Sequence, residues 1–448
     1  MKYITLLREL YRLKRNTKRT KAQIQKVQRE KFQTLVKYAY QHSEYYKKVF
    51  NEAGINETNI SSKKITDFPT IDKKILLEHF DELVTDKNIT QHKLRIFDEN
   101  ETIEKRIYKE KYHLVHSSGS TGKPAYFLYD KTAWNTMLFG IIRAALWKMS
   151  MFQIIKLLIE KPRIVYIAAT DGRYGGVMAV GDGINSMKFE QMHLDIQRPV
   201  NEWLDTIIRF KPNMIIGYPS AIKILAELVK EGRVQLDVTR VITCGEPLHP
   251  NLRTIFEHVF ECDVVNVYGA SESLAMGVGM TGEEGVYLFD DLNLIEVYED
   301  EIYLTCLYNI SQPLIRYRLN DQLHVMEEEK SKIPFTKVKT ILGREEDLLW
   351  FEDDLGNREF VHPLSVEGIC VEGLIDYQFR KVDDATFEML AEVDETANQR
   401  IVKKEILHIM RRILDEKELF YVQFYVRFVT AIQADSKTGK KKLIFTDQ

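Results

Sequence analysis

The sequence predicts an α/β protein: a large N-terminal unit of layered α/β subdomains with an added β subdomain, then a small α+β C-terminal unit. Three observations carry this prediction. From about residue 110, short β-branched runs alternate with longer segments of helical periodicity, as strands covered by helices do. Across residues 286–305, Val286, Leu288, Leu294, Ile295, Val297, Ile302 and Leu304 stand among Asp and Asn turn residues, the pattern of antiparallel strands. After Gly343-Arg344 the chain becomes strongly charged and then offers a smaller set of strands and a helix, which places a boundary near residue 341 and units at 1–340 and 341–448.

In chain order, residues 12–31 are rich in Lys and Arg, while Ile24, Val27, Phe32, Leu35, Val36 and Ala39 recur at helical spacing. That describes an amphipathic helix with a basic, solvated face. The apolar stretch from Met137 to Ile142 is interrupted by Arg143 and Lys148 and reads as a buried helix. Ile164–Ala169 reads as a buried strand, Met214–Gly217 as a strand entering a helix with Ile222, Leu225, Ala226 and Val229 on one face, and Val238–Thr243 and Val264–Val267 as further strands. The last three run into small-residue turns: Gly217-Tyr218-Pro219-Ser220, Cys244-Gly245-Glu246-Pro247 and Tyr268-Gly269-Ala270-Ser271-Glu272. Ligands of open α/β sheets collect beyond the carboxyl ends of the strands, so these turns are expected to share one pocket. In the C-terminal unit, Phe379–Val382 and Tyr421–Thr430 read as strands around a helix from about Ala397 to Leu414.

Composition sets outer bounds. A chain of 448 residues with 44% hydrophobic and 29% charged residues buries a sizeable core and fits two or three packed units. With 63 basic against 66 acidic residues, the net charge of −3 gives no global attraction to nucleic acid or an anionic membrane, and no apolar run approaches the length of a membrane span, so neither nucleic-acid binding nor membrane insertion is expected. Cys244, Cys262, Cys306 and Cys370 are scattered without metal-ligand spacing or a disulfide framework. No apolar core of signal-peptide length opens the sequence, and a cytoplasmic location is the expectation.

The sharpest local signal is His116-Ser117-Ser118-Gly119-Ser120-Thr121-Gly122-Lys123-Pro124. Clustered hydroxyls and glycines let a loop present N–H and O–H donors to a polyphosphate, and Lys123 adds positive charge. It is not a Walker A loop, because Pro124 follows the lysine where that motif needs Ser or Thr.

This string resembles the phosphate loop of the adenylate-forming superfamily, and other motifs of that family follow in order. Gly245-Glu246-Pro247 resembles the stretch bordering the adenine, and Tyr268-Gly269-Ala270-Ser271-Glu272 the aromatic-Gly-x-Ser/Thr-Glu motif. Pro313 to Asp321 is similar to the family's R-Y-R-T-G-D, with Leu319-Asn320 replacing Thr-Gly, and Gly343-Arg344-Glu345-Glu346-Asp347 to its hinge. Thr438-Gly439-Lys440 stands where a catalytic lysine is expected, with Lys441 and Lys442 as alternatives. Gly217-Tyr218-Pro219-Ser220, Tyr45-Tyr46 through Ala53-Gly54-Ile55, and Phe68-Pro69-Thr70 are like the phenylacetate-CoA ligase branch and its capsular-polysaccharide relatives.

The resemblance implies ATP-dependent activation of a carboxylic acid, an aromatic one by analogy, followed by transfer to coenzyme A. It implies that Ser117, Ser118, Gly119, Ser120, Thr121, Gly122 and Lys123 hold the departing pyrophosphate and that Glu272 binds Mg2+. Asp321 would accept from the ribose hydroxyls, and Tyr268, Gly269, Ala270, Ser271 and Arg344 would complete the nucleotide site. Phe139, Gly140, Tyr218 and Pro219 would wall the acid, and a mobile C-terminal domain would carry Lys440 in for adenylation and out for thiolation. A carrier-protein thiol, an amine or a hydroxyl are alternative acceptors, and a catalytically retired nucleotide-binding scaffold is the non-enzymatic rival. The assembly state is left open, a homodimer among the options.

Overall fold

The computed structural model describes residues 3–100, 107–117, 125–168, 175–187, 189–299, 301–319, 321, 323–326, 333–340, 349–352, 356, 358–366, 369, 371–432 and 443–446. Its centre is a nine-stranded sheet. In spatial order the strands are Leu323–Val325, Lys337–Thr340, Val286–Leu288, Ser273–Met280, Asp263–Ala270, Arg240–Thr243, Met214–Gly217, Arg163–Ala168 and Glu190–Asp195. The five from Asp263–Ala270 to Glu190–Asp195 run parallel, and the other four pair antiparallel. Met214–Gly217 and Arg240–Thr243 are buried at every position, which is why neither shows the polar–apolar alternation of a strand with one solvated face.

The helices follow their local chemistry. Pro219 stands in the first turn of Pro219–Lys230, where a missing N–H costs nothing, and Ile222, Leu225 and Ala226 are buried as the periodicity predicts. Asp130 caps Lys131–Ala145 by accepting from the Thr132 and Ala133 N–H groups, and this helix buries Trp134, Met137 and Leu138. It also buries Arg143, whose guanidinium grips Asp291 at 2.8 and 2.9 Å and lies over the Phe289 ring. Asn16 donates to the same carboxylate at 2.6 Å, which ties the N-terminal helix to the core. The basic stretch at 12–31 is broken into two helices, Tyr3–Asn16 and Lys21–His42. Thr20 and Gln23 form a capping box that starts the second.

Two expectations are corrected. The strands across 286–305 do not form one subdomain: Val286–Leu288 joins the central sheet, while Asn293–Val297, Ile302–Cys306 and Tyr317–Leu319 make a separate three-stranded sheet. The motif Tyr268–Glu272 is not wholly a turn, because Asp263–Ala270 stays paired through Ala270 and reverses at Ser271-Glu272. The cause lies at Gly269, where a Cβ would come within 2.4 Å of the Leu274 carbonyl, so the strands can approach closely only with glycine there.

Towards the C-terminus a four-stranded sheet, in the order Gln423–Val429, Thr386–Val393, Leu374–Lys381 and Ile444–Thr446, packs with the helix Gln399–Glu416 in a second hydrophobic cluster. The hairpin Leu349–Glu352 with Arg358–Val361 lies between the clusters. By the two-residue period of strands, Leu349, Phe351 and Val361 join the second cluster, while Trp350 and Phe360 face the first.

Candidate active site

The polar cleft beyond the sheet has a volume of about 400 Å³ and is walled by Asp72, Lys73, Ser117, Glu272, Tyr317 and Asp321 among others. Ser117, Ala270, Glu272 and Asp321 therefore meet, although they lie far apart in sequence. Ser117 ends the strand pair Tyr112–His116 and Tyr126–Asp130. Its N–H donates to the Ala125 carbonyl at 2.9 Å, and its Oγ accepts from the Ala125 N–H at 3.0 Å, so both ends of the phosphate-loop motif are fastened at the cleft. Ser118 to Lys123, Arg344 and Lys440 lie outside the described residues. His116 pairs with Asp98 at 3.0 Å.

Glu272 sits at the hairpin reversal, anchored from behind where the Tyr129 hydroxyl donates to the Ser271 carbonyl at 2.8 Å. Burial holds its carboxyl above the usual range, with Asp321 adding repulsion, while the Tyr317 hydroxyl donates to it and Lys73 opposes the rise. A carboxylate kept in so costly a place is poised to gain from a cation. Asp321 accepts from the Tyr268 hydroxyl at 3.0 Å, so the aromatic of one motif positions the carboxylate of another.

Asp72 and Lys73 line the cleft without having been singled out in the sequence, and Tyr317 stood within the Pro313–Asp321 motif without a role of its own. They arrive together because residue 71 forms a lone bridge to the strand carrying Tyr317: the Ile71 N–H donates to the Arg316 carbonyl at 3.1 Å and the Arg318 N–H to the Ile71 carbonyl at 2.8 Å. Arg316 locks this junction by pairing with Glu296 at 2.9 Å and donating to the Phe68 carbonyl at 2.8 Å. The Phe68-Pro69-Thr70 signal is thus the support that brings Lys73 to the cleft, and Asp72 caps the short helix beginning at Lys73.

The Gly245-Glu246-Pro247 turn is not among the residues that line this cleft and has contacts of its own. Gly245 has φ of +82°, and a Cβ on it would lie 2.6 Å from the Tyr218 ring. Glu246 accepts from the Ser220 N–H at 3.1 Å and its hydroxyl at 2.9 Å, and meets His362 Nε2 at 2.9 Å. Burial pushes the Glu246 carboxyl up, but His362 and Ser220 outweigh burial and leave it below the usual carboxylate range. His362, also missed, stacks on Tyr218 with ring centres 5.9 Å apart. Of the residues expected to wall the acid, Tyr218 is buried beside this turn. Phe139 is buried on the helix Lys131–Ala145, Pro219 begins the helix Pro219–Lys230, and Gly140 lies where a Cβ would strike Ala275 and Leu292, a helix-to-sheet packing contact.

Among the described residues no group of three His, Cys, Asp or Glu side chains converges on a metal position. The chemistry of Glu272 still suits Mg2+, which is commonly held by one or two carboxylates with substrate phosphates and water supplying the rest.

Comparison with known proteins places these observations. The AMP-binding enzyme family matches residues 175–292, the stretch carrying most of the parallel strands and the Glu272 hairpin. The chain is 23% identical over 355 residues to a phenylacetate-coenzyme A ligase of Aromatoleum evansii, covering 74% of this chain and 73% of that protein. It is 20% identical over 355 residues to protein CapK of Staphylococcus aureus, covering 72% and 68%. Among solved structures, 2-hydroxyisobutyryl-CoA ligase in complex with 2-HIB-AMP and CoA, in the thioesterification state, superposes with a TM-score of 0.59 at 18% identity over 97% of this chain and 91% of that one, a likeness of fold. In its matched domain and its relatives the chain is similar to AMP-binding, adenylate-forming enzymes, the phenylacetate-coenzyme A ligases among them.

Proposed function

We propose that this protein is an ATP-dependent, AMP-forming ligase that converts a carboxylic acid to an acyl-adenylate and passes the acyl group to a thiol, coenzyme A. The observation that carries the reading is the convergence of Ser117, Glu272 and Asp321 on one cleft beyond the strand ends. In the first step the acid's carboxylate oxygen bonds to the α-phosphorus of ATP as the bond to pyrophosphate breaks. In the second, a thiolate sulfur bonds to the acyl carbon and AMP leaves with the bridging oxygen. The acid is already ionised at neutral pH, so no protein base is required. Positioning and charge neutralisation supply the catalysis.

Ser117 and the loop it opens would hold the departing pyrophosphate. Lys73 lies on the same cleft and adds a cation facing it. Glu272 would hold Mg2+, which when bound neutralises phosphate charge, and Asp321, positioned by the Tyr268 hydroxyl, would accept from the ribose hydroxyls. Residues 341–448 would form the moving C-terminal domain that supplies Lys440. An aromatic acid is favoured by the resemblance to phenylacetate-coenzyme A ligases, with Tyr218 and Phe139 as candidate walls.

The test is pyrophosphate release from MgATP across aromatic, aliphatic and amino acids, with and without coenzyme A, using Glu272→Gln as control. Release that depends on one acid and on Glu272, and rises with coenzyme A, supports the reading. A folded, ATP-binding protein silent with every acid would instead favour the retired scaffold. Acid-dependent release indifferent to coenzyme A would point to another acceptor.

A further inference from the structure

Away from the cleft, the N-terminal helices and the helix Met151–Glu160 build a surface that the proposed reaction does not use. The turn between Tyr3–Asn16 and Lys21–His42, with the loop before Met151, encloses an open cavity of about 1150 Å³. Lys14, Arg15, Lys18, Arg19, Lys26 and Lys148 line it, against the single carboxylate of Glu30. Lys148 is paired with Glu283 outside that wall, and Lys26 reaches Glu30 only at 4.0 Å. Among the described residues the other four make no ion pair. The loop is fixed to the first helix by Lys14, whose Nζ donates to the Met149 carbonyl at 2.5 Å.

Met151, on the cavity wall, begins a helix that is apolar on two sides. Ile154, Leu157 and Leu158 face the interior beneath it. Phe152, Ile155 and Ile159, spaced three and four residues apart, form a second stripe that is 78%, 43% and 74% exposed. Ile4 and Tyr11 are likewise exposed on the first helix, and Tyr11 reaches the cavity. Single exposed apolar side chains are ordinary, and a solvated helix has one apolar side. A continuous apolar stripe on the helix that opens from a cavity where cations outnumber carboxylates calls for an occupant with both chemistries.

A second copy of this chain does not fit, since a two-fold contact through this face would set the cations against themselves. An anionic bilayer does, because its headgroup phosphates match the amines and guanidinia while its acyl boundary accepts Phe and Ile side chains. We propose that this face docks the protein peripherally on anionic phospholipid, with Phe152, Ile155 and Ile159 entering the interface and the Lys14–Lys26 cations binding phosphates. No helix among the described residues is long and apolar enough to cross a membrane, so the contact is one of surface.

Co-sedimentation with vesicles tests this, comparing phosphatidylcholine alone with phosphatidylcholine mixed with phosphatidylglycerol at low and high salt. The protein should bind the mixed vesicles, leave the neutral ones in solution, and lose binding as salt rises. Lys18→Glu with Arg19→Glu, and separately Phe152→Asp with Ile159→Asp, should each weaken binding about tenfold or more. Both pairs should leave the thermal midpoint unchanged, because these side chains are exposed. No sedimentation of the wild type with either vesicle overturns the proposal. So does loss on charge reversal with none in the Phe152/Ile159 variant, which would make the cavity a site for an acidic protein or soluble polyanion.

Discussion

His362 Nε2 lies 2.9 Å from Glu246 Oε1 and 2.7 Å from Ser220 Oγ, which joins the segment after residue 358 to two of the turns that end central strands. A parallel junction lies nearby, where Glu359 accepts from the Val200 N–H at 2.8 Å and from Lys417 Nζ at 3.0 Å, while Lys417 also donates to the Arg198 carbonyl. These buried groups satisfy one another, and Phe360 between them packs on Trp203 and under the Lys417 ammonium. The segment 358–362 is thereby held against the large unit in this conformation, and movement of residues 341–448 would break these contacts.

Removing His362 leaves Glu246 buried with fewer donors. His362→Ala should therefore destabilise the protein by about 1–3 kcal/mol, the cost of stranding a buried polar partner. His362→Gln, whose amide can still donate, should lose less. Denaturant midpoints at constant m-value check both, and an alanine variant as stable as wild type would show that the contact contributes nothing.

Gly245→Ala should cost roughly 1–2 kcal/mol for the left-handed backbone alone. It should also shift Tyr218, whose ring stands 2.6 Å from the added carbon. Weaker AMP binding with a lowered melting midpoint is expected, measured by calorimetry of AMP titration on folded protein. Unchanged affinity would remove this turn from the nucleotide site.

Tyr268→Phe deletes the hydroxyl that holds Asp321. Loss of one such hydrogen bond is worth about 0.5–1.5 kcal/mol, so ATP affinity should fall several-fold, and Asp321→Ala should reduce it further. The double variant should match Asp321→Ala alone if Tyr268 acts through the carboxylate. Fully additive losses would contradict that coupling.

Acid stability should report the Arg143–Asp291 pair. Burial raises the Asp291 carboxyl, but Arg143, Asn16 and Lys31 outweigh it and hold the group below its ordinary value. A depressed carboxylate binds its proton more readily in the unfolded chain. Its stabilisation is therefore complete above the ordinary carboxylate range near pH 4 and is lost as pH falls through the lower folded value. Asp291→Asn should flatten that acid limb while costing about 3–5 kcal/mol at neutral pH, because Arg143 is left buried and unpaired. Urea midpoints across the acid range give the measurement.

Much of this was legible in the residues. Met214–Gly217 and Arg240–Thr243 are wholly buried parallel strands, so apolar runs and the small-residue turns after them marked both sheet and ligand edge. Ser117, Glu272 and Asp321 were visible because each lies in a short, ordered motif. Lys73 and His362 were not, and Tyr317 lay in the Pro313–Asp321 motif without an assigned role. Lys73 reaches the cleft through a single bridge at residue 71, and His362 meets Glu246 across a packed interface, so neither position leaves a local pattern. The split of residues 286–305 between two sheets was hidden for the same reason, since alternation reveals a strand's faces and says nothing of its partner.

The central claim is an acyl-adenylate, and an oxygen-labelled substrate tests it most directly. With the acid's carboxylate carrying heavy oxygen, turnover with MgATP and coenzyme A should deliver one labelled oxygen into the phosphate of AMP, and Glu272→Gln should suppress the transfer. Mass spectrometry of the nucleotide product reads this. Labelled AMP is the predicted result; turnover that leaves AMP unlabelled, or yields ADP with labelled inorganic phosphate, would contradict the account.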